Sequence, residues 1–154
     1  MPEIDPTAPR TVEELEEALS RPDAGVVRTL GRLAGDMIIL GVGGKMGPTL
    51  ARMAVRASRE AAMKRRVIGV SRFSSAEVRR RLEGWGVETI ACNLLDEVQV
   101  QQLPAAENVV SMTGLKFGTQ TNPALSWAMN CYSPALICRQ FRHSRCLCQF
   151  QYSP

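Results

Sequence analysis

The chain has 154 residues, of which 45% are hydrophobic and 22% charged, with a formal net charge of +4. That is one domain's worth of sequence with apolar content ample for a packed core, which excludes a disordered chain. Scattered arginines and few aromatic residues argue against nucleic acid as a partner. The uncharged stretch over residues 123–138, with Asn130, two prolines and two serines, is too short and polar to span a bilayer.

Five cysteines form no C-x-x-C pair, and the acidic, proline-containing N-terminus has no apolar leader. Both points lead us to expect reduced thiols and a cytoplasmic protein. Residues 1–24 read as a flexible lead-in with one short amphipathic helix, opened by a capping box at Thr11-Val12-Glu13-Glu14 and ended at Arg21-Pro22. Further helical turns are expected over residues 26–33, with Gly35 in the C′ position.

Met37, Ile38, Ile39 and Leu40 are an unbroken apolar run, the pattern of a strand buried on both faces of a parallel sheet. Gly41, Gly43, Gly44 and Gly47 follow at once, then Pro48 and a helical stretch to about residue 64, with Leu50, Met53, Ala54, Ala57 and Ala61 on one face. Strand, glycine loop and helix together aim bare backbone N–H groups and a positive helix end at a phosphate. The rest of the chain alternates in the same way. Strands are expected at 66–72, 87–92 and 108–112. Helices are expected from Ser74 or Ser75 to Leu82 with Gly84 as the stop, from Asp96 to Leu103, and from about Pro123. This order predicts an α/β fold with a doubly wound parallel sheet and right-handed crossovers.

Spacing narrows the phosphate ligand. A Walker A loop fails, because Gly44-Lys45 is followed by Met46 and Ile39 stands where its first glycine belongs. Strict G-x-G-x-x-G fails at Met46. Gly41-x-x-Gly44-x-x-Gly47 fits, and it is the dinucleotide loop of the short-chain dehydrogenase/reductases. The wording Gly43-Gly44-Lys45-Met46-Gly47 resembles their NAD-dependent epimerase/dehydratase (extended) branch. That resemblance covers about residues 25–145. It implies the NAD(P)-binding Rossmann portion of an oxidoreductase, incomplete at its C-terminal side, with a small-molecule substrate only in a full-length form.

A Rossmann domain binds its ligand at the carboxyl ends of its strands, which marks four loops. The first is Gly41–Gly47. In the second, Ser71 stands where an NAD site would offer a carboxylate, and Arg72 follows. An arginine can grip a 2′-phosphate that a carboxylate would repel, so NADP is expected over NAD. In the third, Asn93-Leu94-Leu95-Asp96 resembles the family's turn beneath the adenine: Asn93 offers its carbonyl to the adenine amino group, and Asp96 caps the next helix. In the fourth, Thr113 and Gly114 lie where the family's backbone passes the nicotinamide ribose, and residues 118–122 form a lip.

Asn130, in Trp127-Ala128-Met129-Asn130, matches the catalytic asparagine of the resemblance. The alternative is an asparagine satisfying a helix break at Pro134. The family's Tyr-x-x-x-Lys is absent, since Leu136 lies four residues after Tyr132 and Tyr152 is near the end. The proton-transfer pair is therefore missing from this chain. Residues 146–154 alternate apolar side chains with glutamines, which a doubly buried fifth strand would not carry. They are expected to be an atypical tail, from truncation, an alternative exon or a frame change. His143, Cys146 and Cys148 lack a fourth ligand and a zinc-type spacing, so no metal is expected. Two rivals remain: a non-catalytic NADP(H) sensor, and a poorly folded truncation.

Overall fold

A computed structural model of the chain describes residues 8–114 and 122–150. Five parallel strands, β1 (Met37–Leu40), β2 (Val67–Ser71), β3 (Glu88–Ala91), β4 (Asn108–Ser111) and β5 (Cys146–Gln149), stand in the order β3-β2-β1-β4-β5. The expected doubly wound Rossmann-type sheet is what forms. β1 sits at its centre, with Leu40 level with Val70 on one side and Ser111 on the other.

Side chains of successive strand residues point to opposite faces, so each strand feeds two cores. On one face, Met37, Ile39 and Val67 pack with Leu30 of α2 (Ala24–Arg32), Ala51, Ala54 and Ala57 of α3 (Gly47–Glu60) and Leu82 of α4 (Ala76–Gly84). On the other, Ile38, Leu40, Ile68, Val70 and Val109 meet Val100 of α5 (Glu97–Gln101) and Leu136 and Ile137 of α7 (Ser133–Gln140). The first helix, α1 (Val12–Leu19), lies outside α3.

Several boundaries differ from expectation for physical reasons. The buried stripe of α3 includes Ala51, Ala54, Val55 and Ser58, while Leu50 and Met53 are only half-buried. The helix is rotated so that its smallest residues meet the sheet. α2 ends with Leu33 in an extended conformation, and Gly35, at φ 85°, turns the chain into β1 rather than closing the helix. Gly84 is the last residue of α4, and the left-handed turn falls to Gly86 at φ 92°. The expected break at Pro134 does not occur. α6 (Pro123–Trp127) runs through a π-helical segment, Ala128–Tyr132, into α7, and the Ser133 N–H donates to Ala128 O five residues back. Widening the helix accommodates a proline that has no N–H to give.

The tail is the main correction. Residues 146–149 continue the sheet as a fifth parallel strand paired with β4. Glutamine is tolerated because β5 is an edge strand with its side chains largely at the surface. Gln149 is also tied in, donating from Nε2 to Thr113 O at 3.2 Å.

Candidate functional site

The glycine loop is held by its own main chain. The N–H groups of Gly41 and Val42 both donate to Val70 O, at 2.9 and 3.1 Å, and the Gly44 N–H donates to Gly41 O at 3.2 Å. Gly41 has φ 83°, and a Cβ there would meet the Met112 carbonyl carbon at 3.1 Å. A Cβ on Gly47 would fall 2.1 Å from Val42 O, so this glycine is demanded by packing of the helix against the loop. Val42 is fully buried and plugs the loop from below. Gly69 in β2 makes room for it, since a Cβ there would stand 3.0 Å from Val42 Cγ1. Neither residue stood out in the sequence; an apolar side chain inside a glycine run was the available signal.

α3 begins directly after this loop. Its N-cap, Met46, has no side-chain acceptor to give, and Pro48 lies in the first turn. The first-turn N–H groups are therefore left without an N-cap side chain, as an anion site requires.

Around the loop lies a cleft of about 330 Å³ at the carboxyl ends of β1 to β4. It brings together nine of the expected residues: Gly41, Gly43, Gly44, Ser71, Arg72, Asn93, Leu94, Thr113 and Gly114. Lys45, Met46 and Gly47 are not in its wall. Lys45 and Met46 are exposed beside it, and Gly47 is buried beneath. Asn130 does not line it either, but its Oδ1 lies 3.4 Å from where a Cβ on Gly114 would stand, directly behind the wall. The lip at 118–121 and Tyr152 fall outside the described residues, while Asn122 caps α6 by accepting the Leu125 N–H at 3.0 Å.

The cleft also contains Ser74 and Met112, which belong to the loops at the β2 and β4 exits, and three residues that no motif marks: Cys92, Leu125 and Met129. Leu125 and Met129, one helical turn apart, give its β4 side an apolar wall. Burial pushes the Cys92 thiol up, and the nearby Asp96 charge acts in the same direction, so Cys92 stays protonated and unreactive near neutral pH. Asp96 is a helix cap, as expected. Its Oδ1 accepts the N–H groups of Val98 and Gln99 at 3.0 and 3.1 Å, and the bonds from Gln99 hold its carboxyl below the usual range. The Asn93 carbonyl already accepts the Leu95 N–H at 3.2 Å, which leaves a lone pair for a ligand. Deeper in, Ser111 and Thr113 are buried and share a hydrogen bond of 3.0 Å. Among the described residues no ion pair forms to Arg72, which is exposed at the rim. No described helix is long and apolar enough to cross a membrane.

No family model and no curated protein matches the chain. Solved structures do. One described as Cj0485 dehydrogenase superposes with a TM-score of 0.55 at 12% identity, over 75% of this chain and 48% of its own. The Bordetella bronchiseptica enzyme WbmF, solved in complex with NAD+ and UDP, superposes with a TM-score of 0.60 at 16% identity, over 77% of this chain and 36% of its own. At such identities the likeness establishes the fold. The chain spans less than half the length of either neighbour.

Proposed function

We propose that the cleft binds a nicotinamide dinucleotide, NADP(H) in preference to NAD(H), and that the chain is the cofactor-binding portion of an epimerase/dehydratase- or reductase-like oxidoreductase. The observation that carries this is the convergence of four strand-exit loops on one cleft beside the uncapped start of α3. The WbmF structure, of like fold, is described with NAD+ bound, which supports the same ligand class here.

The residues present fit such a group. The bare amide at Gly43 and the uncapped first turn of α3 suit a diphosphate. Leu94 and Leu95 offer an apolar bed for adenine, with Asn93 at its edge. Thr113 and Gly114 lie at the ribose on the far side. Arg72, with Ser71 in place of a carboxylate, suits a 2′-phosphate. When bound, the nicotinamide supplies hydride transfer. This chain's part is to bind and orient the cofactor, because it has no Tyr-x-x-x-Lys to move the accompanying proton. Asn130, behind Gly114, is the candidate to belong to a proton relay completed in a longer form. That missing pair favours one second reading, a non-catalytic NADP(H) sensor.

Fluorescence titration with NADPH and NADH, beside a thermal melt, is the test. Saturable binding with at least a several-fold preference for NADPH is expected. A folded sample that ignores both nucleotides yet takes up magnesium–ATP overturns the assignment.

A further inference from the structure

Phe73 lies between two cleft residues and is not one itself: Arg72 and Ser74 line the cleft, and Phe73 does not. Its φ is 49°, in the left-handed region, which a bulky aromatic residue adopts only when its surroundings hold it there. Those surroundings are identifiable. The ring packs, half-buried, against the apolar core of the α3–α4 face. The Arg79 guanidinium lies over it, 5.8 Å from the ring centroid. Arg79 is itself fixed by bonds of 3.0 Å from Nε to Glu83 Oε1 and Thr89 Oγ1. A glycine or asparagine would take this backbone conformation with little strain. The chain has a phenylalanine there, so the ring must supply something the turn needs.

We infer that Phe73 is a positioning residue for cofactor selectivity. Its ring, clamped between the core and Arg79, holds the β2 exit in the one turn that directs Arg72 and Ser74 together into the cleft. The ligand feature they jointly meet is a phosphate monoester on the adenosine ribose. This rests on the NADP(H) reading above and extends it: selectivity is set by a residue that touches no ligand.

Phe73→Gly separates the roles, because it keeps the left-handed backbone accessible and removes only the clamp. Binding of NADPH and NADH is measured by fluorescence for the wild type, Phe73→Gly, Arg72→Ala and the double variant. Loss of an aimed charge-assisted bond predicts that Phe73→Gly weakens NADPH roughly tenfold while NADH changes less than about twofold. In the Arg72→Ala background Phe73→Gly should remove no further selectivity, and Phe73→Tyr with Arg72 intact should keep the wild-type ratio. A general loss of structure would weaken both nucleotides alike, and that result overturns the inference, as does a Phe73→Gly protein that keeps the wild-type ratio. Should Phe73→Gly lose its cooperative melt, Phe73→Asn against Phe73→Tyr gives the same comparison, and equal ratios overturn it. A wild type that binds neither nucleotide defeats the cofactor reading itself; one that binds and discriminates while the variants do not differ defeats only the role of Phe73.

Discussion

Gly47 and Gly41 are two of the loop's glycines, and the structure gives them different reasons. Gly41 is needed for its backbone angle, and Gly47 because Val42 O occupies the space a Cβ would take. Gly47→Ala should therefore destabilise the fold by about 1–3 kcal/mol through overpacking and weaken NADPH binding with it, read by urea denaturation and titration. Gly44 differs again: a Cβ there would meet only Gly41 O, at an ordinary 3.6 Å. Gly44→Ala is expected to keep wild-type stability while weakening the dinucleotide, because the added methyl stands between the amides and a diphosphate. Equal stability losses in the two variants would contradict this. Asp36, where the chain enters β1, titrates with a definite sign. Partial burial pulls its pKa up, but bonds from the Arg66 N–H at 2.9 Å and Arg66 Nε at 2.7 Å outweigh that and hold it below the usual value. The stability it contributes is present above an ordinary carboxylate pKa near 4 and is lost as pH falls through the lower folded value. Asp36→Asn should flatten the acid limb of a stability-against-pH curve and leave the neutral plateau without that dependence.

At the scale of elements, α1 shows where pattern and packing part. Its sequence is amphipathic, and a helix of that pattern ordinarily turns its apolar face inward. Instead its acidic side meets the body: Glu16 pairs with Arg81 at 2.9 Å, and Glu17 with Arg52 and Arg56 at 2.8 and 2.6 Å. Val12, Leu15 and Leu19 are left 64, 45 and 53% exposed. A helix held mainly by partly exposed ion pairs opens easily. Amide exchange over residues 12–19 should be fast in the wild type and faster in Glu17→Ala, with the global melt hardly moved. The capping box is half present: Thr11 Oγ1 accepts the Glu14 N–H at 3.1 Å, but the Glu14 carboxylate takes the Arg10 N–H rather than that of Thr11. β4 and β5 make the complementary contrast. Val109 is 1% exposed and Leu147 is 37% exposed. Val109→Ala should cost about 2 kcal/mol and Leu147→Ala well under 1, since only the first removes fully buried methyl groups. The types of the inner elements were legible in the sequence because the apolar residues of β1, β2 and β4 are adjacent along the chain. The edge position of β5 was not, because a strand's depth in a sheet depends on its neighbours.

For the whole molecule, the proposed ligand should act as a global stabiliser, because the four loops it would bridge exist together only in the folded chain. At about 100-fold above its Kd, NADPH should add about 2.7 kcal/mol and raise the melting temperature by roughly 5–10 °C. No shift at saturating NADPH would separate cleft from function. By itself the sequence determined the parallel α/β alternation, the glycine loop and the absence of a Tyr-x-x-x-Lys, because each is written in residues close along the chain. Only the tertiary structure decided that Leu125 and Met129 share a wall with Gly43, that Gln149 reaches Thr113, and that Phe73 takes a left-handed turn. Those depend on which distant side chains a parallel sheet brings to the same end, and that is set by the order and twist of its strands rather than by any one stretch of chain.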